Sequence, residues 1–309
     1  MNEFDLIRKI ASKIRTSPRV KVGIGDDCAV LKDTKDTYLL FAQDTIVEDV
    51  HFRLNSITYE EIGWKALACN MSDIASMGGW SLSATISMGV PRHVSARSLI
   101  KIYDGLMKLA KRFDVDLVGG DTVRSPKKLF VSVSILGRVE KKCLVLRKGA
   151  KVGDAVLCTG SLGGSFYGKH KRFTPRQSEA RFLVKNFNIH SMIDISDGLV
   201  GDLGHMLVSS GCQAVLFERT IPISRELKRK KSLSGKKINR ALYDGEDYEL
   251  LFCIASEDVR VLLNRAKKQG IPISHIGTIS KKGKGVILKT LDGRLVRLPV
   301  RAFTHNLIS

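Results

Sequence analysis

The chain has 309 residues, of which 43% are hydrophobic and 27% are charged, and its formal net charge is +20. This composition excludes a disordered or fibrous protein and is sufficient for one large or two ordinary globular domains. No apolar run approaches the roughly 20 residues that a membrane-spanning helix needs, and the first residues mix acids and bases with apolar residues, unlike a signal peptide. We therefore expect a soluble, cytoplasmic protein.

Helix and strand patterns alternate through the first half of the chain. Apolar stripes predict an opening helix over residues 4–14, a helix from about Thr58 and a helix over residues 95–112. Strands are predicted at residues 20–24, 38–42, 83–89, 115–120 and 129–139. This alternation predicts an α/β domain, which we place at residues 1–138.

A charged segment with two glycines, EKKCLVLRKGAKVGD, marks the predicted domain boundary. Beyond it we expect a second α/β domain at residues 149–309. Strands are predicted for AVLCTG, SMIDIS and YELLFCIA, a helix for DGLVGDLGHMLVSSG, and a hairpin for KGVILKTLDGRLVRL with its turn at Asp292 and Gly293. The predicted fold class is thus α/β (α+β), with two domains.

The positive charge is concentrated in the second half of the chain. Residues 1–136 have 19 Lys and Arg against 16 Asp and Glu, whereas residues 137–309 have 32 against 15. Runs such as RELKRKKSLSGKKINR attract polyanions, and we expect weak, nonspecific binding at most. A solvated basic face is the simpler interpretation, because no aromatic residues alternate with these charges to stack on nucleobases.

The six cysteines stand singly, without a CxxC pair. In a chain of this length we expect them to be reduced and mostly buried, and we expect no zinc site. Cys28, in the stretch VGIGDDCAVL, lies beside two aspartates and could be a nucleophile, a metal ligand or a small core residue. An apolar run follows it directly, so we interpret Cys28 as a buried core residue.

Acidic side chains follow several of the predicted strands, and one more lies late in a predicted helix. Strand-end loops of α/β proteins face a common crevice, so we expect these carboxylates to meet there. Without a cation they would repel one another, whereas Mg²⁺ prefers carboxylate, water and phosphate oxygens. With no matching His or Cys cluster, the pattern indicates magnesium and a phosphorylated nucleotide. The aspartates are Asp26, Asp27, Asp44, Asp73, Asp121, Asp194 and Asp197.

Some of the aspartates and one glycine-rich stretch have simpler interpretations. Asp26 or Asp202, taken alone, is typical of a helix cap or a turn. The stretch GGSFYGKH has the GxxxxGK spacing of a phosphate-binding P-loop, but His170 stands where a hydroxyl should hold Mg²⁺. We therefore interpret this stretch as a glycine-rich turn. The alternative is a P-loop ATPase, in which Lys169 would be essential for activity.

Seven motifs, in this order and spacing, resemble those of the thiamine-monophosphate kinase family, within the aminoimidazole-ribonucleotide-synthetase-like superfamily. The motifs are GIGDDCAVL, QDTIVEDVHF, KALACNMSDIASMGG, VGGDTVRS, LRKGAKVGD, IDISDGLVGDLGH and GEDYELLF. The resemblance covers nearly the whole chain, from about Phe4 to AFTHNL. It implies two α/β domains, a homodimer that pairs the N-terminal domains, and transfer of the γ-phosphoryl group of ATP to thiamine monophosphate, giving thiamine diphosphate and ADP.

The resemblance also implies roles for individual residues, carried over motif by motif. Residues acting directly in the reaction would be Asp44, Asp73, Asp121 and Arg147. ATP would contact Tyr103, Gly120, Asp121, Arg147 and Ser196. The thiamine end would contact His51, Glu246 and Phe303. Several Mg²⁺ ions would be held by Asp27, Gln43, Asp44, Asp73, Asp121, Asp194 and Asp197.

One departure from the family pattern concerns the metal ligands. The Ser-Thr pair that usually precedes the equivalent of Asp44 is replaced by Ala42 and Gln43. Alanine has no ligand atom in its side chain, and Gln43 offers only a neutral amide oxygen, so the number of ions stays open.

Elementary chemistry makes the implied reaction reasonable. The acceptor is a phosphate oxygen that is already anionic at neutral pH, so the obstacle is repulsion between two polyanions and not the removal of a proton. Metal ions and Arg147 would offset that repulsion, and we expect direct in-line transfer. The alternatives are another ATP-dependent enzyme of the superfamily, of the purine-intermediate or hydrogenase-maturation type, and a basic nucleic-acid-binding protein.

Overall fold

A computed structural model describes residues 3–233 and 235–300, and the first half of the chain forms one mixed sheet in it. Its strands are β1 (Val20–Val22), β2 (Ala29–Lys32), β3 (Thr37–Val47), β4 (Trp80–Val90), β5 (Asp116–Arg124) and β6 (Phe130–Glu140). Its helices are α1 (Glu3–Ala11), α2 (Tyr59–Ser76) and α3 (Ala96–Phe113). The order is β1-β2-β3-β6-β4-β5, antiparallel except between β4 and β5. Strand β5 is therefore an edge strand, with two strands between it and β3.

The second half forms another mixed sheet. Its strands are β7 (Ala155–Thr159), β8 (Ile189–Asp194), β9 (Cys212–Phe217), β10 (Leu250–Ile254), β11 (Ile273–Lys282), β12 (Val286–Lys289) and β13 (Leu295–Leu298). Its helices are α4 (Gln177–Asn186), α5 (Leu199–Ser210), α6 (Arg225–Arg229), α7 (Lys237–Tyr243) and α8 (Val259–Lys268). The order is β13-β12-β9-β11-β7-β10-β8, antiparallel except between β9 and β12. Short 3₁₀ turns lie at Lys141–Cys143, Ser165–Tyr167, Lys169–Lys171, Glu218–Thr220, Lys231–Leu233 and Ser256–Asp258.

Helix α2 lies between the two halves of the chain. It starts after Thr58, whose hydroxyl accepts the N–H of Glu61 while the Glu61 carboxylate accepts the N–H of Thr58; this reciprocal cap fixes the helix start that the sequence predicts. The helix packs on β3, β4 and β6 on one side and on β8 and α4 on the other. It is therefore buried on nearly every face, and even its Lys65 is fully buried.

Helices α2 and α3 approach each other closely through two glycines. A Cβ on Gly63 would lie 1.9 Å from the carbonyl oxygen of Ile102, and a Cβ on Gly105 would lie 1.9 Å from that of Glu60. Any side chain at either position would push the two helices apart, since both neighbours are backbone atoms.

Replacing Gly105 with alanine is expected to lower the free energy of unfolding by about 1–3 kcal/mol, the usual cost of overpacking a well-packed contact. Urea unfolding measures this difference. Gly23→Ala is the matched control, because its Cβ would make an ordinary 3.6 Å contact with a Thr16 methyl group. Equal unfolding midpoints for Gly105→Ala and the wild type would contradict the close helix contact.

The sequence predictions hold for the fold class and for most elements. The hairpin of β12 and β13 is confirmed, with Gly293 at φ +86° in its turn. Strands β2, β9 and β11 were not predicted, and β3 and β4 extend further than predicted. The domain limits 1–138 and 149–309 stay a prediction, although the two sheets divide between β6 and β7. Among the described helices, none is long and apolar enough to cross a membrane.

Candidate active site

An acidic cavity lies where the two halves of the chain meet. Its volume is about 1110 Å³, and its walls come from β3, α2, the loop after β8, the loop after α7 and β13. Most of the aspartates that the sequence singles out line it: Asp27, Asp44, Asp73, Asp194 and Asp197. Three segments of the first half, namely the turn between β1 and β2, strand β3 and helix α2, therefore meet the end of β8 and its following loop, and all of them bring carboxylates to one place.

Three of these carboxylates form a tight group. Asp27 lies in the turn between β1 and β2, Asp73 on α2, and Asp194 at the end of β8. One oxygen from each lies within 4.8 Å of the others. The packing of α2 between the two sheets creates this group, since α2 carries the central member.

Two serines of α2 hold the group in place, and sequence reasoning missed both. The Ser72 hydroxyl donates to Oδ2 of Asp194 at 2.6 Å, and the Ser76 hydroxyl lies 2.6 Å from Oδ2 of Asp27. Their four-residue spacing around Asp73 puts all three side chains on one helix face. The motif SDIAS carries that signal, but serines are too common in helices for it to stand out.

Two carboxyls of this group have raised pKa values, because they are buried and nearby positive charges do not balance their negative charges. Burial, with the charges of Asp44 and Asp194 adding, raises the pKa of Asp73 well above its usual range. Burial and Asp27 raise the pKa of Asp194 to about 8. Buried carboxyls close to one another disfavour ionisation, and a cation bound among them reverses this effect. An all-carboxylate donor set of this size fits a hard divalent cation such as Mg²⁺.

Arg147 supplies part of the missing charge. Its guanidinium pairs with Asp27, with Nε 3.0 Å from Oδ1, and its backbone N–H donates to Oδ2 of Asp26 at 3.2 Å. Asp26 also accepts the N–H of Asp27 at 3.1 Å, which matches its expected turn role. Burial and the Asp27 charge raise the pKa of Asp26 to about 6.

Asp44 lies within β3, on the strand face that points towards α2. Its N–H donates at 2.9 Å to Oδ1 of the buried Asn70 of α2, and its side chain reaches the cavity. Desolvation by the surrounding protein, together with the negative charge of Asp27, raises the pKa of the Asp44 carboxyl, although solvent in the cavity can reach this side chain. Gln43 also lines the cavity, but its Oε1 accepts the Ser134 hydroxyl at 2.9 Å, on the opposite strand face.

The structure does not bring Asp121 and Gly120 to this cavity, contrary to the expectation of one common crevice. Gly120 aligns with Asp44 across the sheet through Ile86 and Val133, and three strand spacings separate them by roughly 14 Å. The strand order, which the sequence does not reveal, causes the separation. Tyr103, on α3, also lies outside the cavity walls. Their roles stay predictions.

The two described residues predicted for the thiamine end do lie together at the cavity. The N–H of Val47 donates to Nδ1 of His51 at 3.0 Å, which in the neutral ring assigns the proton to Nε2. Glu246 has a left-handed backbone, φ +62°, and its N–H donates to the carbonyl of Ser196 at 2.6 Å. Phe303, the third predicted residue, lies outside the described residues.

Sequence reasoning missed a buried cation beside this end. The ammonium of Lys65 lies 2.7 and 2.6 Å from the two carboxylate oxygens of Glu246 and donates to the carbonyl of His51 at 2.9 Å. In the sequence it is a single lysine within an apolar helical stretch, where a solvated position is the ordinary expectation.

The glycine-rich stretch at residues 163–170 is not arranged as a P-loop. The Lys169 ammonium lies 2.7 Å from Oε1 of Glu249, a buried carboxylate that also receives Nε of Arg176 at 2.7 Å. The N–H of Gly163 donates to Asp247 at 2.7 Å. The lysine and the Gly163 N–H of this stretch thus bind carboxylates of the protein, whereas in a P-loop they would bind phosphates.

Replacing Lys169 with methionine tests this arrangement. We expect the free energy of unfolding to fall by about 1–3 kcal/mol, since one hydrogen bond to the buried Glu249 is lost while Arg176 still pairs with it. The KM for ATP is expected to stay within about twofold of the wild-type value, whereas a P-loop lysine would be essential. Chemical unfolding and steady-state kinetics measure the two quantities, and loss of ATP turnover in a folded variant would favour the P-loop.

The cysteines behave as buried side chains. All six are free and buried. Burial and the neighbouring aspartates, Asp73 first, raise the pKa of the Cys28 thiol well above its usual range. Cys28 is therefore a neutral core residue next to the carboxylates, and its nucleophile interpretation is not supported.

Comparisons with known proteins agree with this architecture. The family described as AIR synthase related protein, N-terminal domain, matches residues 25–139, and its C-terminal domain counterpart matches residues 167–289. Thiamine-monophosphate kinase of Bacillus subtilis is 34% identical, over 99% of each chain. The structure of AaThiL complexed with AMPPCP and TMP has a TM-score of 0.83 at 30% identity, covering 98% of this chain and 97% of the other.

The hydrogenase maturation protein HypE has a TM-score of 0.74 at 19% identity, covering 93% of this chain and 94% of its own. That likeness shows the fold alone, whereas the likeness to the kinases includes the sequence over the full length. The chain belongs to the thiamine-monophosphate kinase family of the AIR synthase related proteins.

Proposed function

We propose that this protein transfers the γ-phosphoryl group of ATP to thiamine monophosphate, giving thiamine diphosphate and ADP. The observation that carries the proposal is the cluster of three carboxylates, those of Asp27, Asp73 and Asp194, at a cavity between the two halves of the chain. The full-length similarity to thiamine-monophosphate kinases, and to a structure with AMPPCP and TMP, supports the choice of substrates.

The metal ligands are proposed from the same group. Asp27, Asp73 and Asp194 would hold Mg²⁺, and Asp44 and Asp197, which line the same cavity, are proposed as ligands of further ions. Bound Mg²⁺ would neutralise phosphate charge and align the reacting phosphates. Gln43 and Asp121 are proposed as ligands on the family resemblance alone, because Gln43 bonds Ser132 and Ser134 of β6 and Asp121 does not line the cavity.

The residues of the chain have a limited task, because the acceptor oxygen is already anionic. Arg147 can offer its guanidinium to a phosphate when a metal ion takes over the charge of Asp27, since both compete for the same carboxylate. Ser196, on the cavity wall, is proposed to contact ATP. No side chain needs to act as a strong base, and holding donor and acceptor in line supplies much of the rate.

The thiamine end is proposed to lie against His51 and Glu246. Nε2–H of His51 is a donor, and the Glu246 carboxylate is an acceptor for N–H groups of the substrate. The ring of Tyr248, stacked on Phe173 at 4.0 Å between centroids, forms an apolar wall beside them. Phe303 is proposed to complete this end.

The assembly and location are proposed on further grounds. Edge strand β5 exposes Val118 and Val123, and covering this edge in a homodimer would remove an aggregation-prone surface. The predicted ATP residues Gly120 and Asp121 lie on the same strand. Free buried thiols suit a reducing compartment such as the cytoplasm. Weak polyanion binding by the basic half stays a prediction.

Initial rates with a set of acceptors test the function. Purified protein with ATP and MgCl₂ is given thiamine monophosphate, unphosphorylated thiamine or AMP, and the products are separated by chromatography. We expect thiamine diphosphate and ADP in equal amounts from the first and no product from the other two. Product from AMP but not from thiamine monophosphate would overturn the substrate assignment.

A further inference from the structure

Lys65 is one of the largest fully buried side chains among the described residues, and it is a charged one. It extends from α2 in the first half of the chain to the loop after α7 in the second. There the Glu246 carboxylate receives it with both oxygens, at 2.7 and 2.6 Å. The carbonyl of His51 accepts its third hydrogen at 2.9 Å. All three N–H donors of the ammonium are therefore used.

This arrangement fixes the direction of the Glu246 carboxylate. The lysine side chain is fully buried, whereas that of Glu246 retains 15% exposure, and Glu246 lines the cavity while Lys65 does not. The remaining lone pairs of the carboxylate are the part of the pair that a ligand can reach. The backbone of Glu246 is held as well, by its N–H bond to Ser196.

Stability alone does not account for such a pair. Removing two charges from water costs about as much as their attraction returns, and an apolar pair of the same volume is often equally stable. The pair also joins the two residues that we propose for the thiamine end, since one ammonium contacts both Glu246 and the backbone of His51. A positional role explains why a charged pair stands here.

We propose that Lys65 is a positioning residue for the thiamine end of the substrate. It holds the Glu246 carboxylate in one orientation, so that its remaining lone pairs accept N–H groups of the aminopyrimidine ring. Because Lys65 already balances its charge, Glu246 serves as a hydrogen-bond acceptor and not as the counter-ion of the thiazolium ring. The inference rests on the proposed function, and it adds a residue that never touches the substrate.

The test compares KM for thiamine monophosphate with KM for ATP in the variant Lys65→Met, where only the first is expected to change. Without the ammonium, the Glu246 carboxylate can rotate out of its binding orientation, so we expect KM for thiamine monophosphate to rise about tenfold or more, the usual effect of losing a charge-assisted hydrogen bond. KM for ATP should stay within about twofold, because ATP binds at the carboxylate end. Lys65→Gln keeps an uncharged NH₂ donor and should raise KM for thiamine monophosphate by a smaller factor.

Two controls separate positioning from general loss of stability. Lys108→Met removes a lysine from an exposed pair with Glu60 at 2.9 Å and should change neither constant. Ile102→Ala creates a buried cavity on α3 and should lower the thermal midpoint without separating the two constants. A purely structural role for Lys65 predicts the behaviour of Ile102→Ala.

The outcomes distinguish this inference from the proposed function. If the wild type turns over thiamine monophosphate and a folded Lys65→Met keeps KM for it within about twofold of the wild type, the inference is wrong and the function stands. An equal rise in both constants also overturns it. If Lys65→Met does not fold, Lys65→Gln decides between the same outcomes. No turnover by the wild type overturns the function itself.

Discussion

Replacing Asp73 with asparagine is expected to lower kcat roughly a thousandfold, because a lost metal contact removes several kcal/mol of transition-state stabilisation. The same change should raise the thermal midpoint of the protein in EDTA. Asp73 is the most crowded member of the acidic group, and burial together with Asp44, Asp194 and Asp27 raises its pKa. An uncharged amide of the same shape relieves this repulsion. Steady-state kinetics and differential scanning calorimetry measure the two effects.

The opposite signs of the two effects make this prediction specific. A variant that merely damages the fold loses both activity and stability, whereas Asp73→Asn should lose activity and gain stability. The matched control is Asp36→Asn, which removes a carboxylate from an exposed turn and should change neither quantity. Wild-type kcat in Asp73→Asn, with Mg²⁺ as the only metal, would contradict the proposed metal site.

The second large effect is on the pH dependence of stability without metal. The pKa of Asp194 is raised from its ordinary value of 3.8 to about 8, and that of Asp26 to about 6. Raised values mean that the folded state binds more protons than the unfolded state between about pH 4 and pH 8. The contribution of these two carboxyls to the free energy of unfolding should therefore be greatest below this window and fall as the pH rises through it.

Mg²⁺ should reverse this loss, because it binds the ionised carboxylates of the folded state and stabilises that state by mass action. Urea unfolding at pH 5.5 and pH 8, with MgCl₂ or with EDTA, measures the effect. We expect the gain from Mg²⁺ to be larger at pH 8 than at pH 5.5. An equal gain at both pH values would show that the raised carboxyls are not the residues that bind the ion.

The clustering of these carboxylates could be expected from the sequence because the residues lie in recognisable local motifs. Asp27, Asp73 and Asp194 stand in GIGDD, NMSDIAS and MIDISD, and each motif also indicates the element that carries it. Hydrophobic periodicity predicts most of those elements. The start of α2, predicted at about Thr58, is determined within four residues by the cap of Thr58 and Glu61, so this prediction needs no knowledge of the fold.

The features that could not be predicted depend on distant parts of the chain. Lys65 and Glu246 are 181 residues apart, and Arg147 and Asp27 are 120 apart. Nothing local distinguishes Lys65 from a solvated lysine. The separation of Asp121 from Asp44 follows from the strand order β3-β6-β4-β5, which no local pattern encodes. Strand β11 was missed because ISHIGTISKK mixes polar and apolar residues without clear alternation.

A quenched single-turnover reaction with ATP labelled in its γ-phosphate tests the central claim most directly, namely that the acidic cavity transfers the γ-phosphoryl group straight to thiamine monophosphate. With Mg²⁺ we expect the label to pass from ATP to thiamine diphosphate, with none on the protein at any time and no transfer in EDTA. Label that reaches only inorganic phosphate, or that accumulates on the protein before product forms, would contradict the account.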